Sequence, residues 1–352
     1  MPDAHKTLTR HTIEAEHRHP DSTGDFSGLL NAVSTAVKMI AHQVNKGALV
    51  GAPGDRDVHG EVRKRLDVIS HEILIGETEW AGHLAAMASA EMTGFYPVPA
   101  RYRRGKYLLV FDPLDGSGDI DVNISVGTIF SVLRSPRPGA QVRAEDFLQP
   151  GTEQVCAGFA LYGPSTVLVL TTGDGVDGFT LDRDIGAFVL THPKLRIPAE
   201  TSEFAINSSN ERFWEPPVRR YVAECLAGRT GPRGKDFSMR WIASLVAEAF
   251  RILSRGGVFL CPADSNDPGQ PGRLRLMHQA SPVAFIIEQA GGLASTGRGR
   301  LMESQPADLH ERVPVIFGSR AEVELIERYH RDDAEPGTDD FSLFNTRSLF
   351  RA

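Results

Sequence analysis

Residues 107–121 read YLLVFDPLDGSGDID, and this stretch indicates more about the function of the chain than all other residues together. Residues 107–111 are apolar and strand-like, and two carboxylates, Asp112 and Asp115, follow them. An unpaired charge is costly to bury, so carboxylates at the end of a buried strand need compensation. A divalent cation such as Mg²⁺ supplies it, and it prefers oxygen ligands, including backbone carbonyls such as that of Leu114. We therefore expect a metal site where this strand ends.

The turn after the strand indicates a second ligand. Gly116, Ser117 and Gly118 expose backbone N–H groups and a hydroxyl, which suit a phosphate oxygen. A metal beside a phosphate-binding turn indicates phosphoryl chemistry. The alternative interpretation of DPLDGS is an ordinary turn, because Asp, Pro, Gly and Ser all favour turns. The strand before it and IDVNISVGTIFSVL after it make the functional interpretation more specific.

Bulk composition limits the class of protein. A chain of 352 residues can bury a large core and form two subdomains. The net charge of −7 argues against a nucleic-acid or membrane partner. Without a signal segment or an apolar run of membrane-spanning length, we expect a cytoplasmic protein. The three cysteines lack CxxC spacing and indicate neither a disulfide framework nor a zinc site: Cys156, Cys225 and Cys261.

Hydrophobic periodicity divides the chain into four parts. We expect an irregular, solvated N-terminal arm over 1–24, whose scattered histidines are weaker candidates for metal binding (His5, His11, His17, His19). A metal-binding and regulatory subdomain follows over 25–200, a sugar-phosphate-binding subdomain over 201–331, and an acidic linker with a tail over 332–352. Strands mixed with short and long helices predict an α/β fold of stacked layers. Helices are predicted at 25–46, 60–76, 218–226, 241–254, 282–291 and 322–331, and strands near 107–111, 124–133, 158–162, 166–171, 179–181, 204–206, 258–260 and 313–317.

From residue 23 to residue 329 the sequence resembles class 1 fructose-1,6-bisphosphatases, within the Li⁺-sensitive sugar- and inositol-phosphatase superfamily. The resemblance is closest to proteobacterial enzymes of Calvin-cycle type. It implies an αβαβα sandwich, a homotetramer, and Mg²⁺-dependent hydrolysis of the 1-phosphate of a sugar bisphosphate, either fructose-1,6-bisphosphate or also sedoheptulose-1,7-bisphosphate. The motifs that carry it, besides residues 107–121, are HGEVRKRLDVIS, FLQPG, FAINSSNERFWEPPV, GPRGKDFSMRWIASLVAEAF, GGVFL, GRLRLM, EQAGG and SLFNTRSLFRA.

The resemblance also implies roles for individual residues. Asp67 would orient the attacking water and Glu91 would be its partner general base. The metal ligands would be Asp112, Leu114, Asp115 and Gln279. The substrate would be held by Asp115, Gly116, Ser117, Gly118, Asn207, Arg240, Trp241 and Arg273, with Arg240 reaching into a neighbouring subunit's site. A candidate AMP site would include Thr23, Lys106 and Tyr107, although a simple helix start and an edge strand explain those residues equally well.

Two positions depart from the family pattern at the metal site. Ala90 stands where a metal-bridging glutamate is expected, and Gln279 replaces a second carboxylate with an amide. Asp119 adds back one negative charge in place of an asparagine. Cys261 takes the place of a substrate-contacting tyrosine, and Gly118 that of a serine. Two hypotheses follow: a weakened phosphatase that needs high Mg²⁺, or an inactive paralogue that serves as a sugar-phosphate-binding or regulatory subunit.

Overall fold

The computed structural model describes residues 6–17, 24–50, 65–266 and 269–334. The predicted helix at 60–76 is therefore described only from residue 65, and most of the acidic linker and tail lies outside these ranges. The helices are α1 (Leu8–Glu16), α2 (Asp25–Val44), α3 (Arg65–Thr78), α4 (Pro216–Ala227), α5 (Leu245–Arg255), α6 (Ser281–Gln289) and α7 (Arg320–Ala334). None of the described helices has the length and apolar character needed to span a bilayer.

The first sheet has eight strands in the order β2-β1-β3-β4-β5-β6-β7-β8. They are β1 (Leu84–Ser89), β2 (Phe95–Pro97), β3 (Tyr107–Asp115), β4 (Val126–Arg134), β5 (Gln154–Tyr162), β6 (Thr166–Thr171), β7 (Val176–Asp182) and β8 (Ala187–His192). Strands β1 and β3 are parallel, and the other neighbours are antiparallel. Every residue of β3 is buried, as expected for a strand that is apolar on both faces and covered on both sides.

The second sheet has five strands in the order β10-β9-β11-β15-β13. They are β9 (Glu203–Ile206), β10 (Ser238–Met239), β11 (Val258–Cys261), β13 (Leu293–Ser295) and β15 (Val315–Gly318), while β12 (Leu274–Arg275) pairs with β14 (Arg312–Val313) as a separate ribbon. Strand β9 is parallel to both β10 and β11. The carboxyl ends of these three strands therefore meet at one edge.

Three clusters of buried side chains define the layers. The first packs α2 and α3 on one face of the eight-stranded sheet. The second lies between its other face, helices α5 and α6, and the five-stranded sheet. The third packs α4 and α7 on the far face of the smaller sheet. The order is α/β/α/β/α, which confirms the predicted layered sandwich.

The N-terminal region differs from the expected irregular arm. Thr7 caps α1 with its side chain and forms an isolated bridge with Val189 on β8. Within α1, Leu8 and Thr12 are buried. His11 packs edge-on against Phe179, with ring centroids 5.3 Å apart. Packing on the sheet thus stabilises a helix in a segment whose sequence is rich in charges. The expectation of irregular structure is wrong for residues 7–17. His5 and His19 lie outside the described residues.

Candidate active site

Two carboxylates are buried at the end of β3. Asp112 is 5% exposed and Asp115 is 6% exposed. The pairing of β3 with β4 is irregular between these two residues. The N–H of Leu114, between them, donates to Oδ1 of Asp112 at 3.2 Å. The strand therefore runs through both acidic residues, and its irregular end holds two like charges close together in the interior.

Gln279 lies against both carboxylates. It belongs to a π-helical turn, Leu276–Ala280, that leads directly into α6. Its Nε2 donates to Asp112 Oδ2 at 2.8 Å and to Asp115 Oδ1 at 3.3 Å. Its Oε1 accepts a hydrogen bond from the backbone N–H of Arg275 at 3.0 Å. The amide thus joins the two acidic residues to the start of α6.

The first turn of α5 also points at this pair. The N–H of Val246 donates to Asp115 Oδ2 at 3.3 Å. Ser244, just before the helix, is only 2% exposed, and its Oγ has no hydrogen-bond partner among the described residues. That oxygen would lie 3.6 Å from a Cβ placed on Gly116. An unpaired hydroxyl therefore faces the turn that follows β3.

Burial and, second to it, the neighbouring charge of Asp112 raise the pKa of Asp115 to about 7. The N–H groups of Val246 and Leu245 oppose this effect. Two buried carboxylates whose charges repel each other suit a hard divalent cation, which would compensate both. The site offers few side-chain ligands to such a cation, because the described residues contain no group of three or more His, Cys, Asp or Glu side chains placed to share a metal ion.

The turn after β3 requires glycine at its first position. Gly116 has φ of +79°, a left-handed conformation that side chains with a Cβ disfavour. A 3₁₀ segment, Ser117–Val122, follows, and the N–H of Asp119 donates to the carbonyl of Gly116 at 3.1 Å. Gly118 is exposed and Ser117 is half-buried. The backbone thus presents an accessible, tightly wound turn beside the carboxylate pair.

Asp67 and Glu91 lie on elements that meet near the same strand end. Asp67 is buried in the first turn of α3, and His71 follows it one turn later. The Nδ1 of His71 lies 3.0 Å from Ser89 Oγ at the end of β1, and the same hydroxyl accepts from the N–H of Glu91 at 3.2 Å. Ser89 is paired with Phe111, the residue before Asp112. The fold therefore brings α3 and the end of β1 to the acidic end of β3.

Three of the predicted sugar-binding positions share an edge of the second sheet. Asn207 follows β9, Arg240 follows β10, and Cys261 ends β11. Because these strands are parallel, their carboxyl ends lie side by side. Burial raises the pKa of the Cys261 thiol to about 11, so the thiol stays protonated and neutral. Loops at the carboxyl ends of parallel strands commonly hold ligands.

Arg273 lines a cavity of about 480 Å³ next to this edge. Its guanidinium donates to Asp264 Oδ2 at 2.8 and 3.1 Å. Arg312 lines the same cavity and donates to the backbone carbonyl of Arg273 at 2.8 Å. Two guanidinium groups around a polar cavity are suited to an anionic ligand such as a phosphate group.

The segment between β10 and α5 connects the two regions. The Trp241 indole stacks on Phe259, with centroids 6.0 Å apart and an angle of 7°. Glu248, fully buried in α5, accepts a 2.8 Å hydrogen bond from the N–H of Ile242 and pairs with Arg251. Helix α5 therefore begins at Leu245 rather than at the predicted Trp241, since residues 241–244 are held in a turn in which Ala243 has φ of +61°.

The candidate nucleotide site involves the starts of α2 and β3, and the carboxylate pair lies at the other end of β3. Lys106 pairs with Asp25 at 3.4 Å and lies over the Tyr107 ring at 5.5 Å. Glu16 already occupies the start of α2, because its carboxylate accepts from the N–H of Gly24 at 2.6 Å and from the hydroxyl of Ser27. Thr23 lies outside the described residues.

Three contributors to the site are not predicted by the sequence patterns. These are the buried Arg275, whose Nε has no partner among the described residues, the unpaired hydroxyl of Ser244, and the N–H of Val246. Arg275 sits in GRLRLM two residues after Arg273, and a period of two in a strand could have indicated a second buried arginine. Ser244 precedes an apolar helical run, which is the pattern of a helix N-cap.

Comparison with known proteins decides the family. Residues 6–193 match the model of the fructose-1,6-bisphosphatase N-terminal domain, and residues 197–331 match that of its C-terminal domain. The chain belongs to the fructose-1,6-bisphosphatase family. The family resemblance seen in the sequence is thereby confirmed.

Relatives of this family match along nearly their whole length. The class 1 fructose-1,6-bisphosphatase of Hydrogenophilus thermoluteolus is 59% identical over 98% of this chain and 97% of its own. A class 1 fructose-1,6-bisphosphatase of Methylibium petroleiphilum is 56% identical over 99% of both chains. The holo-form crystal structure of Leishmania major fructose-1,6-bisphosphatase is 38% identical, with a TM-score of 0.86 over 93% of this chain and 99% of that one. Family membership therefore covers both sheets.

Proposed function

We propose that the protein hydrolyses the 1-phosphate ester of fructose-1,6-bisphosphate to give fructose 6-phosphate and inorganic phosphate. The observation that carries this proposal is the buried pair Asp112 and Asp115, which lies beside an accessible glycine turn in a chain of the fructose-1,6-bisphosphatase family. Near-complete coverage of its bisphosphatase relatives favours an active enzyme over a binding-only subunit. Sedoheptulose-1,7-bisphosphate is a second candidate substrate.

The family implies a dependence on divalent metal, and we infer that Mg²⁺ serves here. Asp112, Asp115 and the carbonyl of Leu114 would hold it, and Gln279 could contribute its oxygen only if its amide turned over. When bound, the cation polarises the phosphoryl oxygens and lowers the pKa of water. Ser117 and the N–H groups around Gly116 would bind the phosphoryl group and fix its orientation.

Water activation would fall to residues on α3 and after β1. Asp67 is buried, which restricts its motion, and Glu91 is half-buried next to Ser89. We infer that Asp67 orients the attacking water and that Glu91 accepts its proton. Ser89 supports this assignment, because its hydroxyl contacts both His71 on α3 and the backbone of Glu91.

The sugar end would lie along the edge of the second sheet. Asn207, Trp241 and Arg273 would hold the sugar and its distal phosphate, and the cavity beside Arg273 supports this placement. Arg240 has an exposed side chain paired only loosely with Glu203, at 3.6 Å. We infer from the family resemblance that the protein is a cytoplasmic homotetramer, in which this exposed guanidinium would reach a neighbouring subunit's site.

Two positions at the metal site should limit the rate. Ala90 is fully buried, and its N–H donates to the carbonyl of Phe111, one residue before Asp112. It therefore lies beside the acidic end of β3, but its methyl side chain has no atom that can bind a metal ion. Gln279 is neutral. A site with fewer negative charges attracts divalent cations less strongly. We therefore infer a high Mg²⁺ requirement.

The test is phosphate release from fructose-1,6-bisphosphate across a Mg²⁺ titration, with the second product identified as fructose 6-phosphate. We expect turnover that rises steeply at high Mg²⁺. The double variant Ala90→Glu with Gln279→Glu should reach the same rate at lower Mg²⁺. Absence of turnover by the native chain at saturating Mg²⁺, with activity in the double variant, would instead identify a protein that has lost catalysis.

A further inference from the structure

The orientation of the Gln279 amide is fixed by its neighbours. The backbone N–H of Arg275 faces one end of the amide, and only the oxygen can accept from it. Two carboxylate oxygens face the other end, and only the NH₂ group can donate to them. Turning the amide over would place donor against donor and oxygen against two anions. The nitrogen therefore faces the space between Asp112 and Asp115.

This amide performs part of the task that a cation performs. A donor shared by two carboxylates draws them together, and hydrogen bonds to charged acceptors are stronger than neutral ones. Both carboxylates are at least nine-tenths buried, so water contributes little to their solvation. Within the described residues, Asp115 forms no ion pair with a Lys or Arg side chain, and the Gln279 amide and the N–H of Val246 donate to its carboxylate.

We propose that Gln279 is a positioning residue that clamps the metal-free carboxylate pair and competes with the divalent cation for it. This inference rests on the proposed function in that it concerns the same site. In the metal-free chain the clamp keeps Asp112 and Asp115 in a preformed arrangement. The amide nitrogen would compete with a cation for the same carboxylate oxygens, and the amide would have to turn over, at the loss of the Arg275 N–H bond, before its oxygen could serve as a ligand.

The residue at position 279 therefore affects the stability of the metal-free chain and its affinity for cations in opposite directions. A glutamate there removes both donors and adds a third carboxylate, so the metal-free chain should be less stable while the site binds cations more tightly. Methionine has a similar length and neither donates nor supplies a carboxylate. It should lower metal-free stability without the gain in affinity that a third carboxylate gives. A merely structural role for Gln279 would change stability alone.

The experiment uses Mn²⁺ as the probe, with electron paramagnetic resonance of free Mn²⁺ to count bound ions, and thermal melts of the full chain with and without the metal. We expect Gln279→Glu to bind Mn²⁺ about 10-fold more tightly or more, to melt lower than the native chain without metal, and to regain stability when Mn²⁺ is added. Gln279→Met should melt lower without metal and should not bind more tightly.

Gln149 is the matched control. It is a half-buried glutamine whose Nε2 donates to two backbone carbonyls, those of Arg134 and Asp146. Gln149→Glu should leave Mn²⁺ affinity unchanged. Equal Mn²⁺ affinity in Gln279→Glu and the native chain would overturn the clamp, as would an unchanged metal-free melting temperature in both variants. Neither readout uses the sugar substrate, so failure of the proposed hydrolysis and failure of the clamp are separate results.

Discussion

The amide of Gln279 donates a 2.8 Å hydrogen bond to the carboxylate of Asp112, which lies 167 residues earlier in the chain. One partner ends a strand of the eight-stranded sheet, and the other lies in the π turn before α6. Helix α6 packs in the layer between the two sheets. The candidate metal site is therefore formed where the two family domains meet, and each half supplies part of it.

Removing either carboxylate of the pair should lower the catalytic rate without lowering the stability of the metal-free chain. We expect Asp112→Asn and Asp115→Asn each to lower phosphate release from fructose-1,6-bisphosphate by more than about 100-fold, because each loses a metal ligand. The metal-free melting temperature should hold or rise, since each change relieves repulsion between two buried anions. The measurement pairs steady-state kinetics with thermal melts. A variant that melts lower and remains active would contradict this assignment.

Stabilisation by metal should depend on pH. In the metal-free chain the pKa of Asp115 is raised from 3.8 to about 7. Between those values the folded chain holds a proton that the unfolded chain has released, so folding stability falls as pH rises through this window. A divalent cation binds the ionised pair, and its stabilising effect should grow from about pH 6 to pH 8.

Melts with and without saturating Mg²⁺ at several pH values measure this effect. Asp115→Asn has no carboxyl group to ionise at this position and has lost a metal ligand, so its Mg²⁺-induced shift should be small at every pH. The prediction fails if the Mg²⁺-induced shift in melting temperature is the same at both ends of the pH range.

Glu248 should control substrate affinity through the turn that it holds. Its carboxylate binds the N–H of Ile242 and pairs with Arg251, which in turn binds Glu203, the partner of Arg240. Glu248→Ala leaves Arg251 short of a partner in a buried region and should destabilise the fold by about 3–5 kcal/mol. We expect KM for fructose-1,6-bisphosphate to rise more than kcat falls.

Two variants complete that test. Glu248→Gln keeps an oxygen for the Ile242 N–H and should show a smaller rise in KM. Glu303→Ala removes an exposed partner of Arg300 and should change neither stability nor KM measurably. An unchanged KM in a folded Glu248→Ala variant would show that the turn does not position the substrate.

AMP should inhibit this protein weakly or not at all. The N-terminus of α2 would attract a nucleotide phosphate, but Glu16 already binds the N–H of Gly24 and the hydroxyl of Ser27 there. Titration calorimetry with AMP on the native chain should show no binding at millimolar AMP, and Glu16→Ala should bind it measurably. Strong inhibition of the native chain by AMP would contradict this prediction and would support the AMP site that the family resemblance implies.

Local patterns predicted the elements that carry their own signals. The apolar run before Asp112 predicts strand β3, and the spaced apolar residues of α2 predict a helix. Both elements begin where predicted. The run LAAMAS of β1 lacks β-branched residues and was not recognised as a strand. The start of α5 was missed because a side chain in the helix, Glu248, holds Ile242 out of it.

The site was predictable as a set of residues and not as a geometry. The acidic strand end, the glycine turn and the basic positions are all visible in the sequence. The orientation of the Gln279 amide depends on a backbone N–H of Arg275 and on two carboxylates from the other half of the chain. Contacts over such sequence separations leave no periodic signal.

The most direct test is an anomalous-diffraction map from a crystal of the native chain grown with Mn²⁺ and fructose 6-phosphate with inorganic phosphate. We expect a Mn²⁺ peak between Asp112 and Asp115, within about 2.0–2.4 Å of a carboxylate oxygen of each. A phosphate should bind at the turn that begins with Gly116. A map with no metal peak between these carboxylates would contradict the proposed metal site. So would a map in which the two carboxylates point away from each other.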